Sequence, residues 1–499
     1  MIRYISLLLL VISCIQVPAL AQSSKAPTNI VFILSDDHRY DAMGFMNKIQ
    51  GLQTPAMDRM AKEGAHLKNA FVTTALCSPS RASILTGQYA HTHTVVDNDA
   101  PLPANLTFFP QHLQKKGYQT GFFGKWHMGN TGDQPQPGFD HWESFLGQGV
   151  YYGVTLNING TRVKHAADVY TTDLLTEHTI DWLNKRDRKK PFFVYLSHKG
   201  VHAEFQPAKR HKGKYNELPI VTPPSMYLTA NDSSKTYGTA TAPATRVNYA
   251  DIPKWVRNQR YSWHGVDYMY DGAIRFDRFY HQYLETLQAV DESIARVMNY
   301  LVENKLDQNT MVVYMGDNGF SFGEHGLIDK RHAYEESMRV PLLVWAPGFV
   351  QPGSVVEQVI MNVDLAPTFL ALASVPKPAN MQGNSFAPLL TGNNIPWRNR
   401  MYYEYYWEAA FPQTPTIFAV RSQQYKYIYN FGTWDTNELY DLIADPYEMN
   451  NLVRDTSFRK IGLELKKDLF NWLSETGGLQ IPLKMPIQGR NDHRYRGSY

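Results

Sequence analysis

Cysteine is nearly absent: the chain has two in 499 residues, Cys14 and Cys77. Cys14 lies in an N-terminal stretch with Arg3, the mostly apolar run Ile5 to Val17, and the triplet Ala19-Leu20-Ala21 before Gln22. This has the form of a signal peptide over residues 1–21. Its removal leaves Cys77 alone, which excludes an intramolecular disulfide and marks that thiol for intermolecular pairing or for chemistry. No other apolar run is long enough to span a bilayer, so the expectation is an exported protein, periplasmic or secreted. The alternative takes Val11-Ile12-Ser13-Cys14 as a lipoprotein box, and only with lipid on Cys14 is a membrane a partner. Charge of one sign is lacking as well. With 49 Lys and Arg against 46 Asp and Glu, the net charge of +3 gives no footprint of a nucleic-acid binder. Internal repeats and low-complexity tracts are missing too.

What is present is a large apolar fraction, 43% of residues, enough for one big domain and a smaller one. Asn29 to Leu34 and Met311 to Met315 are short apolar runs of the buried parallel-strand type. The first is followed by Ser35-Asp36-Asp37, the second by Gly316-Asp317-Asn318-Gly319. Helical patterns alternate with such strands at Pro55 to Glu63, Ser80 to Thr86, Pro110 to Lys116, Thr171 to Lys185 and Phe276 to Asn304. The pattern predicts an α/β sandwich around a large, mainly parallel sheet. Ligands bind such sheets outside the carboxyl ends of the strands, so both acidic pairs point at one rim. Lys212 to Gly265 lacks periodicity and reads as a long excursion over that rim. After Gly392 come short strand patterns at Arg400 to Trp407, Ile417 to Arg421, Tyr425 to Tyr429 and Glu438 to Leu442. An amphipathic helix over Phe458 to Glu475 follows, with Ile461, Leu465, Leu469 and Leu473 on one face. These features predict a main domain over residues 27–390 and a small α+β subdomain over 391–485, with a small antiparallel sheet and a helix.

Asp36, Asp37, Asp317 and Asn318 are oxygen donors, which suits a hard cation, Ca²⁺ or less favourably Mg²⁺. Any one aspartate after a strand is commonly a helix cap; two adjacent pairs after separate strands weaken that explanation. Pro79 and the segment Ser80 to Leu85 place Cys77 at a helix N-terminus, where an anion is favoured and a thiolate could act as nucleophile. Arg81 follows one helical turn later. Lys125 and His127 flank Trp126 as same-side residues of an extended strand end. His202 follows the apolar run Phe192 to Leu196, with His198 as its competitor.

The run CSPSRASILTG, Cys77 to Gly87, resembles the first signature of the type I sulfatases, and GYQTGFFGKWH, Gly117 to His127, resembles the second. SDD at Ser35 to Asp37, DNG at Asp317 to Gly319, and the segments around His202 and Lys330 stand in family order, so the resemblance covers nearly the whole mature chain. It implies an alkaline-phosphatase-like fold and oxidation of Cys77 to formylglycine (3-oxoalanine) by a formylglycine-generating maturation enzyme. It also implies Ca²⁺ held by Asp36, Asp37, Asp317, Asn318 and the residue-77 oxygen. One hydroxyl of the hydrated aldehyde would attack sulfur and displace the alcohol; the other would lose its proton to expel sulfate and restore the aldehyde. Arg81 would orient the hydrate, Lys125 would contact sulfate, and His127 would take the proton. His202 and Lys330 would bind sulfate, one of them protonating the leaving oxygen; His202 is preferred to His198 for its place before EFQP. GEHGLIDKRHAYEESMRVPLLV, Gly323 to Val344, is similar to bacterial polysaccharide sulfatases and implies a sulfated oligosaccharide or polysaccharide as substrate. Tyr261, Trp263 and His264 of the excursion are candidates to meet sugar rings, and His38, His91, His93, His325 and His332 are weaker candidates for the pocket. Phosphonate and phosphodiester hydrolases of the same superfamily carry a similar cysteine signature and form the alternative; a catalytically inactive carbohydrate-binding relative is the alternative of another class.

Overall fold

The computed structural model describes residues 27–129, 132–220, 222–227, 251–432 and 435–482. The signal-peptide and Cys14 expectations lie outside the described residues. No helix among the described residues is long and apolar enough to cross a membrane.

The first twelve strands are β1 (Asn29–Ser35), β2 (Ala65–Phe71), β3 (Gln119–Gly124), β4 (His141–Ser144), β5 (Thr155–Ile158), β6 (Thr161–Lys164), β7 (Phe192–Ser197), β8 (Thr310–Gly316), β9 (Ser321–Phe322), β10 (Ile328–Asp329), β11 (Leu342–Trp345) and β12 (Ser354–Met361). Ten of them form one sheet in the order β12-β2-β11-β8-β1-β7-β3-β4-β5-β6, while β9 and β10 pair separately. Its centre, β8-β1-β7-β3-β4, is parallel throughout; β11 enters antiparallel between β8 and β2. The fold is α/β with a large, mainly parallel sheet.

Strand alternation explains why these runs are apolar along their whole length. In β1, Ile30, Phe32 and Leu34 enter the core on one face, while Val31 and Ile33 enter the core on the other. The helices Cys77–Thr86, Phe109–Lys115 and Leu365–Leu372 contribute to the first core, and Thr171–Lys185 and Phe276–Glu303 to the second. The long helix buries Leu284, Leu287, Ile294, Val297, Met298 and Leu301, the three-to-four-residue spacing of one helical face. Each such side chain is worth about 1.5–3 kcal/mol on burial.

Strands β13 (Met401–Tyr405), β14 (Thr416–Arg421), β15 (Tyr425–Phe431) and β16 (Glu438–Asp441) form an antiparallel sheet in sequence order. The helix Arg459–Thr476 packs on it through Leu465, Leu469, Trp472 and Leu473. Ile461 is half-buried and packs at the margin of that core, as the spacing expects, and Trp472 adds a further buried ring. Of the excursion, the described part holds a short turn of helix at Pro224–Tyr227 and the helix Lys254–Gln259; residues 228–250 lie outside the described residues. Its end is tied to the segment before Lys330, since Val266 N–H donates to Gly326 O at 3.1 Å and Ile328 N–H to His264 O at 2.7 Å.

Candidate active site

Four neighbouring parallel strands end in register, so the residues that follow them meet. Ser35 pairs with Gly316, Leu34 with Ser197, and Ser197 with Gly124. The ladder runs on past the strand ends: Asp317 N–H donates to Ser35 O at 2.9 Å, Asp36 N–H to Gly200 O at 3.0 Å, and Lys125 N–H to Ser197 O at 2.8 Å. Gly124 permits this closeness, because a Cβ there would stand 1.8 Å from Ser197 O. The helix carrying Cys77 begins at Cys77 itself, with Leu76 as its cap, and brings Arg81 round one turn later.

The result is a buried ring of carboxylates and cations. Arg81 binds Asp317 through Nε at 3.0 Å and Nη2 at 2.8 Å, and its Nη1 donates to Lys125 O and Ser197 Oγ, both at 2.7 Å. Lys125 Nζ pairs with Asp36, and Lys330 Nζ reaches the two oxygens of Asp37 at 2.6 and 2.7 Å. Asp37 N–H donates to Asp317 Oδ1 at 3.0 Å, and Asn318 Nδ2 to Asp37 Oδ1 at 2.7 Å. The thiol of Cys77 donates to Asp36 Oδ1 at 3.4 Å. Sγ, an oxygen of Asp36 and a ring nitrogen of His202 all lie within 4.8 Å of one another.

Burial raises the Cys77 thiol far above its usual value, and the Asp36 charge adds to the effect. A thiolate nucleophile is therefore opposed at this position. Burial also acts on Asp36, but Lys125, Arg81 and Lys330 overcome it and hold the carboxyl well below the usual range. For Asp37, burial leads, and the Asp36 and Asp317 charges help push it up to about 7 against Lys330. Burial drives His127 and His202 well below the ordinary imidazole value, helped by Lys125 and Lys330 respectively. Both rings are thus neutral, and each has a buried nitrogen without a hydrogen-bond partner, Nδ1 of His127 and Nε2 of His202.

The donor set fits a hard divalent cation. Oxygens of Asp36, Asp37 and Asp317 lie within 4.8 Å of one another, and Asn318 Oδ1 is buried with no hydrogen-bond partner. An orphaned amide oxygen beside three carboxylates is the environment such an ion needs.

The structure brings Asp36, Asp37, Cys77, Arg81, Lys125, His127, His202, Asp317, Asn318 and Lys330 to this one rim. The extended strand end expected for Lys125 and His127 is not found: β3 stops at Gly124, and His127 has a left-handed backbone, φ 51. Trp126 turns into the core against Phe108 and Phe122, which accounts for the bend. His198 and His202 are separated clearly. His198 turns away to Ser293 Oγ of the long helix at 2.9 Å, while His202 Nε2 lies 3.9 Å from Asp37 Oδ2. The weaker histidine candidates have structural partners: His38 with Tyr314 and Ala42 O, His91 with Glu404, His93 with Ser83, His325 stacked on Tyr334, and His332 with Ser321. His264 sits between Asp329, 3.3 Å away, and the stacked ring of Phe411, and Trp263 packs on Tyr270. Residues missed from sequence include Ser197, Lys199 and Tyr151. Ser197 ends an apolar run and Lys199 stands inside HKGVH, so strand-end position alone could have flagged both.

An α/β sheet of alkaline-phosphatase-like fold, with acidic pairs, basic residues and a helix-borne cysteine on one rim, defines the class of hydrolase. The chain belongs to the sulfatase family, which it matches over residues 28–375; residues 323–475 match the C-terminal region of N-sulphoglucosamine sulphohydrolase. It is 34% identical to an N-acetylglucosamine-6-O-sulfatase of Bacteroides thetaiotaomicron, over 94% of this chain and 90% of that protein. A solved structure in complex with its substrate D-glucosamine-2-N,6-O-disulfate superposes with a TM-score of 0.78 at 32% identity, covering 92% of this chain and all of the other. The fold, without closer kinship, is also that of the phosphonate monoester hydrolase of Agrobacterium radiobacter, TM-score 0.69 at 20% identity, over 90% of this chain and 96% of that one.

Proposed function

We propose that this sulfatase is exported, uses Ca²⁺, and removes sulfate from sulfated carbohydrate with residue 77 as formylglycine. The observation that carries the reading is the position of Cys77: first residue of its helix, 3.4 Å from Asp36 Oδ1, within the one ring that also holds Asp37, Asp317, Arg81, Lys125 and Lys330. A formylglycine hydrate would supply there the oxygen nucleophile that the buried thiol does not. Asp36, Asp37, Asp317 and Asn318, with the residue-77 oxygen, would hold the ion, which when bound offsets sulfate charge and lowers the pKa of a nucleophilic oxygen.

The chain's own groups do the rest. Arg81, fixed by Asp317 and Ser197, orients position 77 from one turn away. Lys125 and Lys330 present ammonium groups to the sulfate oxygens. His127, neutral and with Nδ1 unpartnered, is placed to accept a proton from position 77. His202 Nε2 donates to the leaving oxygen; the sulfate anion beside it raises its pKa and readies the proton. A main domain over residues 27–390 carries this chemistry and a subdomain over 391–485 closes one side. Support for that division comes from Glu408 and Phe411 of the β13–β14 loop: Glu408 binds Arg331 at 2.8 Å and the Phe411 ring lies 3.7 Å from the Arg331 guanidinium.

A sulfated sugar, as in the relative's name and the solved complex, is the substrate class we assign, taken from glycosaminoglycan or algal polysaccharide. The second reading, a phosphonate or phosphodiester hydrolase, has the shared fold in its favour. An inactive carbohydrate-binding relative is disfavoured by the full set of polar groups at the rim. Release of sulfate from N-acetylglucosamine-6-sulfate and sulfated oligosaccharides, measured beside aryl sulfates, a phosphonate monoester and a phosphodiester, tests the reading. The highest kcat/KM is expected on a sulfated sugar, with activity lost on chelation and restored by Ca²⁺. A preference for phosphorus esters moves the chain to the second reading; hydrolysis of aryl sulfates alone removes the carbohydrate assignment.

A further inference from the structure

Three of the cations at the rim are matched to aspartates: Arg81 to Asp317, Lys125 to Asp36 and Lys330 to Asp37. Lys199 is not. Its side chain is buried, with the residue 6% exposed, and among the described residues no carboxylate pairs with its ammonium. The contact it does make is with an aromatic face, Nζ lying 4.8 Å from the centroid of Tyr151. Burying an ammonium is costly unless an anion meets it, and a ring face recovers only part of that cost.

The place of Lys199 in the fold decides which anion that is. It stands on the turn that leaves β7 and delivers His202. Lys199 O accepts from His202 N–H at 2.9 Å, Gly200 O accepts from Asp36 N–H at 3.0 Å, and the Tyr151 hydroxyl donates to His202 O at 2.6 Å. The same contacts that set Asp36 and His202 therefore set Lys199. Its ammonium is within electrostatic reach of Lys125, Asp36, Asp37 and Cys77, and it acts in turn on His202. Burial, reinforced by Lys125, lowers it to about 8 against Asp36 and Asp37. The ammonium therefore lies over the ring whose hydroxyl holds the His202 backbone, beside the group assigned to the leaving oxygen.

We propose that Lys199 is a further substrate-binding residue, its Nζ taking an oxygen of the sulfate ester that is cleaved, so that the substrate brings the counter-charge the protein withholds. This rests on the sulfatase reading of the site. An aspartate in that position would have held the lysine as Asp36 holds Lys125; leaving it unmatched makes it a group whose charge is satisfied only in the complex.

The test compares the calcium-loaded wild type with Lys199→Gln and Lys199→Arg. Isothermal titration with inorganic sulfate reads the anion site without turnover, and steady-state kinetics use N-acetylglucosamine-6-sulfate and D-glucosamine-2-N,6-O-disulfate. We expect Lys199→Gln to weaken inorganic sulfate binding about tenfold and to lower kcat/KM on both sugars by a similar or larger factor, with Lys199→Arg recovering most of the loss. Unchanged sulfate affinity in a variant with wild-type thermal unfolding overturns the proposal and leaves Lys199 as packing for Tyr151. A loss confined to the disulfated sugar also overturns it, because the lysine would then meet the second sulfate. Should the glutamine variant fail to fold, Lys199→Met keeps the stem against Tyr151 and gives the same two readouts. Failure of the wild type to desulfate any sugar would count against the carbohydrate reading, while the sulfate titration would still judge Lys199.

Discussion

The rim of the ten-stranded sheet and the face of the four-stranded sheet both bury charge, but they balance it differently. Where the small sheet docks, Glu335 receives Arg421 at 2.8 Å and Lys426 at 3.0 Å, and Lys426 also binds Glu448 at 2.6 Å. His91 reaches Glu404 at 2.8 Å and Thr476 O at 3.1 Å. There Arg421, Lys426 and His91 each have an anion inside the protein. At the rim, the pairing of Arg81, Lys125 and Lys330 coexists with atoms left open: Asn318 Oδ1, His127 Nδ1, His202 Nε2 and the Lys199 ammonium. Charge that closes on itself holds elements together. At the rim the open groups are one ammonium and three neutral polar atoms gathered at the strand ends.

Breaking that comparison at Cys77 has the largest expected effect. Cys77→Ala should lower kcat by at least about 10³-fold while the thermal midpoint stays near wild type, since a small polar-cleft side chain leaves no large apolar cavity. Mass spectrometry of the Cys77 peptide from active enzyme should find the aldehyde; a free thiol at full activity contradicts the mechanism. Next come the two histidines of one strand end. His202→Ala should cost about 10²–10⁴ in kcat, less with a leaving group that needs no proton. His198→Ala should leave turnover near wild type and reduce stability by about 1–3 kcal/mol as Ser293 loses one of its two side-chain partners and keeps Thr176. In the docking region the order inverts: Lys426→Met should cost about 3–5 kcal/mol in stability by stranding Glu448, while Glu335 keeps Arg421, with activity per folded molecule preserved. The smallest effect is the pH dependence at His91. Burial lowers its pKa, but Glu404 outweighs that and the net shift is upward. The pair's contribution is therefore complete below about pH 6.5 and disappears as pH rises through the elevated folded value. The melting difference between wild type and His91→Gln should be largest near pH 6, about 2–4 °C, and shrink toward pH 9.

The sequence made the rim legible because β1 and β8 are apolar on both faces and stop at acidic residues; with parallel strands, their ends must coincide. The helix at Arg459–Thr476 was readable from its spacing, although the burial of Trp472 was not, because its stacking on Tyr402 of β13 is decided by shape that a period does not encode. The bend at His127 was not readable. It arises from Trp126 seeking an aromatic cluster, with Phe108, Phe122 and Trp142 drawn from three separate segments. Antiparallel β11 was missed for a similar reason: LLVW is apolar in either direction, and only its partners on both sides set its sense. The roles of His198 and His202 were distinguished by neighbouring residues in sequence; in space the difference is which side of the turn each ring takes.

The complete burial of Cys77 carries a consequence for timing. Its side chain has no accessible surface, and the helix it begins is buried along its whole length, from Cys77 to Thr86. A modifying enzyme has no approach to that sulfur once β1, β8 and the helix have closed over it. Conversion to formylglycine, on our reading of the site, therefore has to be finished on a nascent or still extended segment, in a race against collapse of the sheet. Active yield is then a ratio of two rates, and a change that speeds closure of β1, β8 and the helix over residue 77 would leave more of the chains as thiol, correctly folded and inert.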